Sequence, residues 1–151
     1  MKIRTNNLHI TYSKASQVDE IAIINLLNSL SGDKSGFDID QFYIAKDEDK
    51  LIGCVRIKIF EDGCRELSSL VVDPKHQHQG IGSKLVEKIL AQEQNRPIFL
   101  LTSLNKELFY KKFGFIIITP QELPSEFKKE HDRILALPFA RNLEVIAMVV
   151  K

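Results

Sequence analysis

A chain of 151 residues, 44% of them hydrophobic, is long enough to bury one full core and short for two domains. Its 21 Lys and Arg against 20 Asp and Glu leave a net charge of +1, which excludes the strongly basic surface of a general nucleic-acid binder. No apolar run approaches the roughly 20 residues needed to cross a bilayer, and residues 1–14 lack the apolar core of a secretory signal. The expectation is a cytoplasmic protein with neither a membrane nor a nucleic-acid partner.

Residues 9–14 belong to a loose alternation through Leu8, Ile10 and Tyr12 and predict a first strand. Ser16-Gln17-Val18-Asp19 has the layout of a capping box, with Asp where Glu is usual. Behind it Val18, Ile21, Ile24, Leu27 and Leu30, flanked by Ala22, Ile23 and Leu26, predict a helix with a broad apolar face. Residues 31–36, SGDKSG, end it as a polar loop, and residues 37–41 show no strong period.

Residues 42–45 read as a strand and residues 47–50, DEDK, as a charged, solvated hairpin tip. Residues 51–60 alternate, with Val55, Ile57 and Ile59 on one face and Arg56, Lys58 and Phe60 on the other. Glu61-Asp62-Gly63 turns the chain, and residues 64–72 return as another strand. Cys54 and Cys64 would lie well apart along this hairpin, which argues against a disulfide and suits free thiols in a reducing compartment. Neither has a C-x-x-C partner or metal-ligand spacing.

The run Leu70-Val71-Val72 stops at Asp73-Pro74, because Pro lacks the N–H that a ladder requires. A polar loop, residues 75–79, leads to Gly80-Ile81-Gly82 and then to Leu85, Val86, Ile89 and Leu90 at helical spacing. Such a junction of strand, polar loop, glycines and helix suits anion binding. The first turn of a helix has N–H groups without internal partners, its dipole adds positive charge, and glycine lets a phosphate approach the backbone. Lys75 and Lys84 add positive field. The spacing Gln77-x-x-Gly80-x-Gly82 is neither the dinucleotide fingerprint nor the P-loop.

Gln94-Asn95-Arg96-Pro97 breaks the chain, and residues 98–101 predict a short buried strand parallel to the one ending at Val72, by the usual crossover. Thr102-Ser103 can cap a helix over residues 104–113, which Gly114 ends. Residues 115–118 form a strand closed by Thr119-Pro120. Residues 122–131 predict a short exposed helix, residues 133–142 carry no readable pattern, and residues 143–150 are a final apolar strand.

The Gln77 to Gly82 motif, directly after its strand, resembles the Q/R-x-x-G-x-G/A acetyl-CoA pyrophosphate loop of the GCN5-related N-acetyltransferase (GNAT) superfamily. Tyr110-Lys111-Lys112-Phe113-Gly114-Phe115 is similar to the Y-x-x-x-G-F pattern of the same family, in the same place along the chain. The element order is similar too, so the resemblance covers nearly the whole chain. It implies an α/β (α+β) GNAT fold, one domain over residues 1–151, with a mixed, mostly antiparallel sheet of about seven strands and helices on both faces. It implies acetyl-CoA as co-substrate and no metal.

The resemblance also implies roles. The backbone of Leu70, Val71 and Val72 would hold pantetheine like an added strand, and an N–H at the strand end would polarise the thioester oxygen. Backbone N–H groups of Gln77, His78, Gln79, Gly80, Ile81, Gly82 and Ser83 would cradle the pyrophosphate. Asn105 would bond pantetheine, although its spacing to Tyr110 is shorter than the common one. Tyr110 would be the general acid, protonated at neutral pH by its ordinary pKa of about 10; the alternative is an aromatic packed beside Phe109 and Phe113. Glu66, on the face of Ser68, Leu70 and Val72 by parity, would be the base; the alternative is an exposed strand glutamate at a hairpin base.

His76 reads as loop packing and His78 as part of the motif through its backbone, since H-x-H without a third ligand is weak evidence for zinc. His9 and His131 carry no signal. The acceptor would be a primary amine of a small molecule or amino acid, seated where residues 30–42 meet the C-terminal segment, in a monomer or homodimer. The other readings are a protein N-terminal or lysine acetyltransferase, and a non-catalytic domain that binds or senses acyl-CoA.

Overall fold

The computed structural model describes residues 9–151. The expectation of no signal segment falls partly on residues 1–8, which lie outside the described residues. Among the described residues seven strands hydrogen-bond in the order β1-β2-β3-β4-β5-β7-β6. The chain divides into two compact units: residues up to Arg56 together with Ser69–Glu93, and Ile57–Ser68 together with Gln94–Lys151.

In the first unit, β1 (Ile10–Lys14) pairs antiparallel with β2 (Phe42–Asp47), and β2 with β3 (Lys50–Ile59). The capping box forms as expected. The Asp19 carboxylate accepts from the Ser16 N–H at 2.9 Å and from its hydroxyl at 3.2 Å. It also meets the Lys46 ammonium at 2.8 Å, tying the helix start to β2. A 3-10 turn over Gln17–Asp19 precedes α1 (Glu20–Ser29).

The apolar face of α1 is narrower than its sequence predicts. Ile23 and Leu27 are fully buried, whereas Val18 is 87% and Ile21 74% exposed. Val18 falls in the 3-10 turn, whose tighter winding shifts its phase. Ile21 precedes Ile23 by two positions, about 200° around the helix, so it turns away.

Ile23 and Leu27 pack with Phe42, Ile44 and Cys54 in one core cluster. The neighbouring Gly53 aims its Cβ position at Leu85 of α2 (Ile81–Gln92), 3.1 Å from Cδ1. Adjacent strand residues point to opposite faces, so α1 and α2 cover the two sides of β3. Ile81, Leu85, Val86 and Ile89 are buried, the stripe read from the sequence.

In the second unit Gly63, at φ +84°, makes the turn, and Phe60 N–H donates to Cys64 O at 2.9 Å. β4 (Arg65–Val72) pairs parallel with β5 (Ile98–Ser103) through Arg65↔Ile98 and Glu66↔Phe99, as the crossover predicts. A 3-10 turn over Leu104–Lys106 and α3 (Glu107–Lys111) replace the single longer helix expected over residues 104–113. Gly114, at φ +94°, lies two residues past the C-cap Lys112, one beyond the expected C′ position, and leads into β6 (Ile116–Ile118).

α4 (Ser125–Leu135) corrects the expectation of an exposed helix. Phe127 is fully buried and His131 5% exposed, an i,i+4 stripe on an otherwise polar helix. The Phe127 ring lies 5.3 Å from Phe99 and 6.1 Å from Phe60, at the centre of a second core. A 3-10 turn, Pro138–Asn142, occupies much of the segment without a readable pattern. β7 (Val145–Val150) then inserts between β5 and β6, antiparallel to both. Among the described residues no helix is long and apolar enough to cross a membrane.

Candidate functional site

β4 carries a kink. Ser69 adopts φ +59°, left-handed for a residue with a side chain, a conformation that costs about 1–2 kcal/mol. It is held from several sides. The Ser69 hydroxyl accepts from Arg56 Nε at 2.9 Å and donates to the Asp33 carbonyl. The Cys54 thiol donates to the Ser69 carbonyl at 3.5 Å. Burial pushes that thiol up to about 12, with the Arg56 charge opposing only in part, so Cys54 stays a protonated packing group.

The Ser69 hydroxyl, through Arg56 and Asp33, faces the loop after α1. Val71 packs against the α1 core, while Val72 Cγ2 lies 3.5 Å from the Gly53 Cβ position, on the α2 side. Leu70, Val71 and Val72 are all half-buried, at the end of a strand re-aimed by Ser69.

The loop after β4 is pinned at both ends. Asp73 N–H donates to Ile52 O at 2.7 Å, and its carboxylate accepts from Lys75 N–H at 3.0 Å. That N–H outweighs burial and, with the Lys50 ammonium at 3.5 Å, holds the Asp73 carboxyl below its usual range. His76 Nε2 lies 3.1 Å from Asp47 Oδ2, which supports the reading of this histidine as loop packing. The Gln77 side chain folds back to Val72 O at 3.0 Å.

His78 at φ +64° and Gly80 at φ +80° then turn the main chain into α2. Gly80 is the N-cap and brings no side-chain cap, and a Cβ added there would meet nothing within 4 Å. Residues 77–80 are exposed while Ile81, 2% exposed, anchors the helix in the core. Lys75 and Lys84 are exposed nearby in sequence. A helix start with open space over its cap has the free N–H groups and dipole that suit an anion.

The second unit holds the remaining candidates. Tyr110 is 8% exposed, and burial pushes its hydroxyl up to about 12. Its ring is edge-on to Phe109 at 4.9 Å and to Phe115 at 6.1 Å. Glu66 is 5% exposed, which overturns the alternative of a solvent-exposed hairpin glutamate. Asn105 is exposed in the 3-10 turn before α3 and accepts from the Ser103 hydroxyl at 2.5 Å. Cys64 is free, and burial, with Asp62 and Glu66 adding negative charge, pushes it up to about 11. Among the described residues no group of three or more His, Cys, Asp or Glu could hold a metal ion.

Sequence reasoning missed Arg56, Ser69 and Asp33 as a cluster. The available signal was a single arginine in the otherwise apolar run Cys54-Val55-Arg56-Ile57.

The acetyltransferase (GNAT) domain family matches residues 38–117. An amino-acid acetyltransferase from Shewanella oneidensis is 30% identical over 142 residues, covering 82% of this chain, which spans 32% of that protein. N-acetylglutamate synthase from Neisseria gonorrhoeae, solved with coenzyme A and N-acetyl-glutamate, superposes with a TM-score of 0.74 at 22% identity, over 94% of this chain and 35% of that one. A Mycobacterium tuberculosis protein solved in complex with CoA gives 0.70 at 22% identity, over 93% of this chain and 98% of that one. The two likenesses in structure speak to the fold, and the matched domain, with both of its motifs in order, speaks to descent: the chain belongs to the GNAT acetyltransferase family.

Proposed function

We propose that the chain is an acetyl-CoA-dependent N-acetyltransferase whose acceptor is the primary amine of an amino acid or a similarly small molecule. The observation that carries this reading is the uncapped, glycine-opened start of α2 directly behind the kinked end of β4. The Shewanella relative, named as an amino-acid acetyltransferase, supports the choice of acceptor.

Acetyl-CoA supplies the acyl group in activated thioester form. The first-turn amides of α2 and the loop before it hold the diphosphate, and the main chain of Leu70, Val71 and Val72 orients the pantetheine. Orientation alone can lower the barrier by as much as about 7–11 kcal/mol. An N–H at the end of β4 donates to the carbonyl oxygen as negative charge develops there. Glu66, buried in β4, takes the proton from the amine, directly or through water. Tyr110, protonated far beyond neutral pH, gives its proton to the departing sulfur.

The test is release of free thiol from acetyl-CoA across amino acids, polyamines, aminoglycosides and short peptides. Turnover with amino acids above the other classes is the expected result. Faster turnover with peptides would replace the acceptor assignment with a protein substrate. Calorimetric binding of acetyl-CoA with no thiol release from any acceptor would leave a binding domain and overturn the enzyme reading.

A further inference from the structure

We propose that Arg56 is a positioning residue for acetyl transfer, its guanidinium holding the loop after α1 against the kink of β4. This rests on the reading above, in which β4 aligns the thioester and residues 30–42 border the amine.

Arg56 lies in mid-strand in β3 and is fully buried. Nε donates to Ser69 Oγ at 2.9 Å, Nη1 to Gly36 O at 3.3 Å, and Nη2 to Ser35 O at 2.8 Å and to the Asp33 carboxylate at 3.2 Å. The planar fork thus grips the kinked residue of β4 with one edge and three residues of the loop with the other. The guanidinium carbon also lies over the Phe42 ring, 5.4 Å from its centroid.

The β2–β3 ladder forms through main-chain pairs and does not depend on this side chain. The loop does depend on it, because residues 31–38 form no helix or strand. Nor is the loop remote from the thioester strand. A Cβ at Gly32 would lie 3.1 Å from Val71 Cγ1 and 2.6 Å from Leu27 Cδ2, so the loop runs close against the end of β4. Where Arg56 sets the loop, it sets the distance between the amine side and the β4 main chain. A lysine cannot do the same, since one ammonium on a flexible stem cannot reach Ser69 and the loop carbonyls together.

The experiment uses the full chain as wild type, Arg56→Lys and Asp33→Asn. Steady-state thiol release is measured with the amino acid that turns over fastest, alongside acetyl-CoA calorimetry and thermal melts. Arg56→Lys is expected to lower kcat/KM for the acceptor by about 10- to 100-fold, with acetyl-CoA affinity held within about twofold. Asp33→Asn, which leaves Arg56 in place, is expected to raise the acceptor KM by about threefold. An acceptor kcat/KM for Arg56→Lys within about twofold of wild type overturns the proposal, as does an equal loss of acetyl-CoA affinity, which marks a purely structural role. If Arg56→Lys does not fold, an unchanged acceptor KM in Asp33→Asn overturns it. Wild type with no turnover on any acceptor removes the function and this inference together, whereas an active wild type with an unaffected Arg56→Lys removes only the inference.

Discussion

The Gln77 side-chain amide donates to the main-chain carbonyl of Val72 across 3.0 Å, closing the polar loop back onto the end of β4. The bond preorganises the amides that precede Gly80. Gln77→Ala removes one hydrogen bond on an exposed loop, worth about 0.5–1.5 kcal/mol. Acetyl-CoA binding by calorimetry should weaken by about 3- to 10-fold, with the melting temperature nearly unchanged. Tighter binding would mean instead that the ligand needs the Val72 carbonyl which Gln77 occupies.

Two glycines should fail for different reasons. At Gly80, φ +80°, an alanine meets no neighbour within 4 Å, so the cost is conformational, about 1–2 kcal/mol. Its methyl would also stand in the space assigned to the diphosphate, so acetyl-CoA affinity should fall with it. At Gly53 the new methyl would lie 3.1 Å from Leu85 Cδ1 and 3.2 Å from the Val71 carbonyl. Overpacking against a main-chain atom should cost about 1–3 kcal/mol. Urea denaturation of both variants separates the two, since Gly53→Ala should affect stability more than affinity.

Tyr110→Phe keeps the ring against Phe109 and Phe115 and removes only the hydroxyl. Acetyl-CoA affinity should stay within about twofold while kcat falls by about 10²–10⁴-fold. An unchanged kcat would remove Tyr110 from the mechanism. Because burial raises this hydroxyl from 10.0 to about 12, the folded state keeps its proton where the unfolded chain loses it. From pH 10 through about 12 the stability of wild type should therefore fall by roughly 2–3 kcal/mol more than that of Tyr110→Phe.

Burial alone would raise the Asp19 carboxyl, but the Lys46 ammonium and the Ser16 N–H outweigh it and hold it below its ordinary 3.8. A lowered folded value contributes stability that is complete above the unfolded value and lost as pH falls through the folded one. Asp19→Ala should cost about 1–2 kcal/mol at neutral pH through the lost cap and ion pair. The gap to wild type should narrow in urea titrations as pH falls below 3.8 and through the lowered folded value. A gap of constant size across that fall would contradict the charged role of Asp19.

Cys54, fully buried and pushed up to about 12, should resist iodoacetamide in the native protein at neutral pH. Its alkylation, followed by peptide mass spectrometry, should track unfolding in urea. Fast labelling without denaturant would contradict the packing around the Ser69 kink.

Features carried by close neighbours in the chain were legible in advance. The capping box at Ser16 and Asp19, the turn at Gly63, the stripe of α2 and the positive-φ glycine at 114 each depend on residues a few positions apart. The glycine-opened start of α2 and its place after β4 belong to the same class, which is why residues 77–83 could be put forward as the cofactor end of the proposed site. Sequence alone thus determined most of the elements, the β4–β5 crossover and the family. Tertiary structure decided what depends on distant residues meeting. Arg56 is buried because Asp33 and Ser69, 23 and 13 positions away, supply its partners. Ser69 is left-handed because that network offsets its strain, and the buried face of α1 is narrow because Ile23 and Leu27, with Leu26 beside them, are the residues that meet the core. Phe127 turns a polar helix into a core element because Phe60 and Phe99 receive it. No local period encodes such meetings, since burial is a property of the neighbours a residue acquires and not of the residues beside it in the chain.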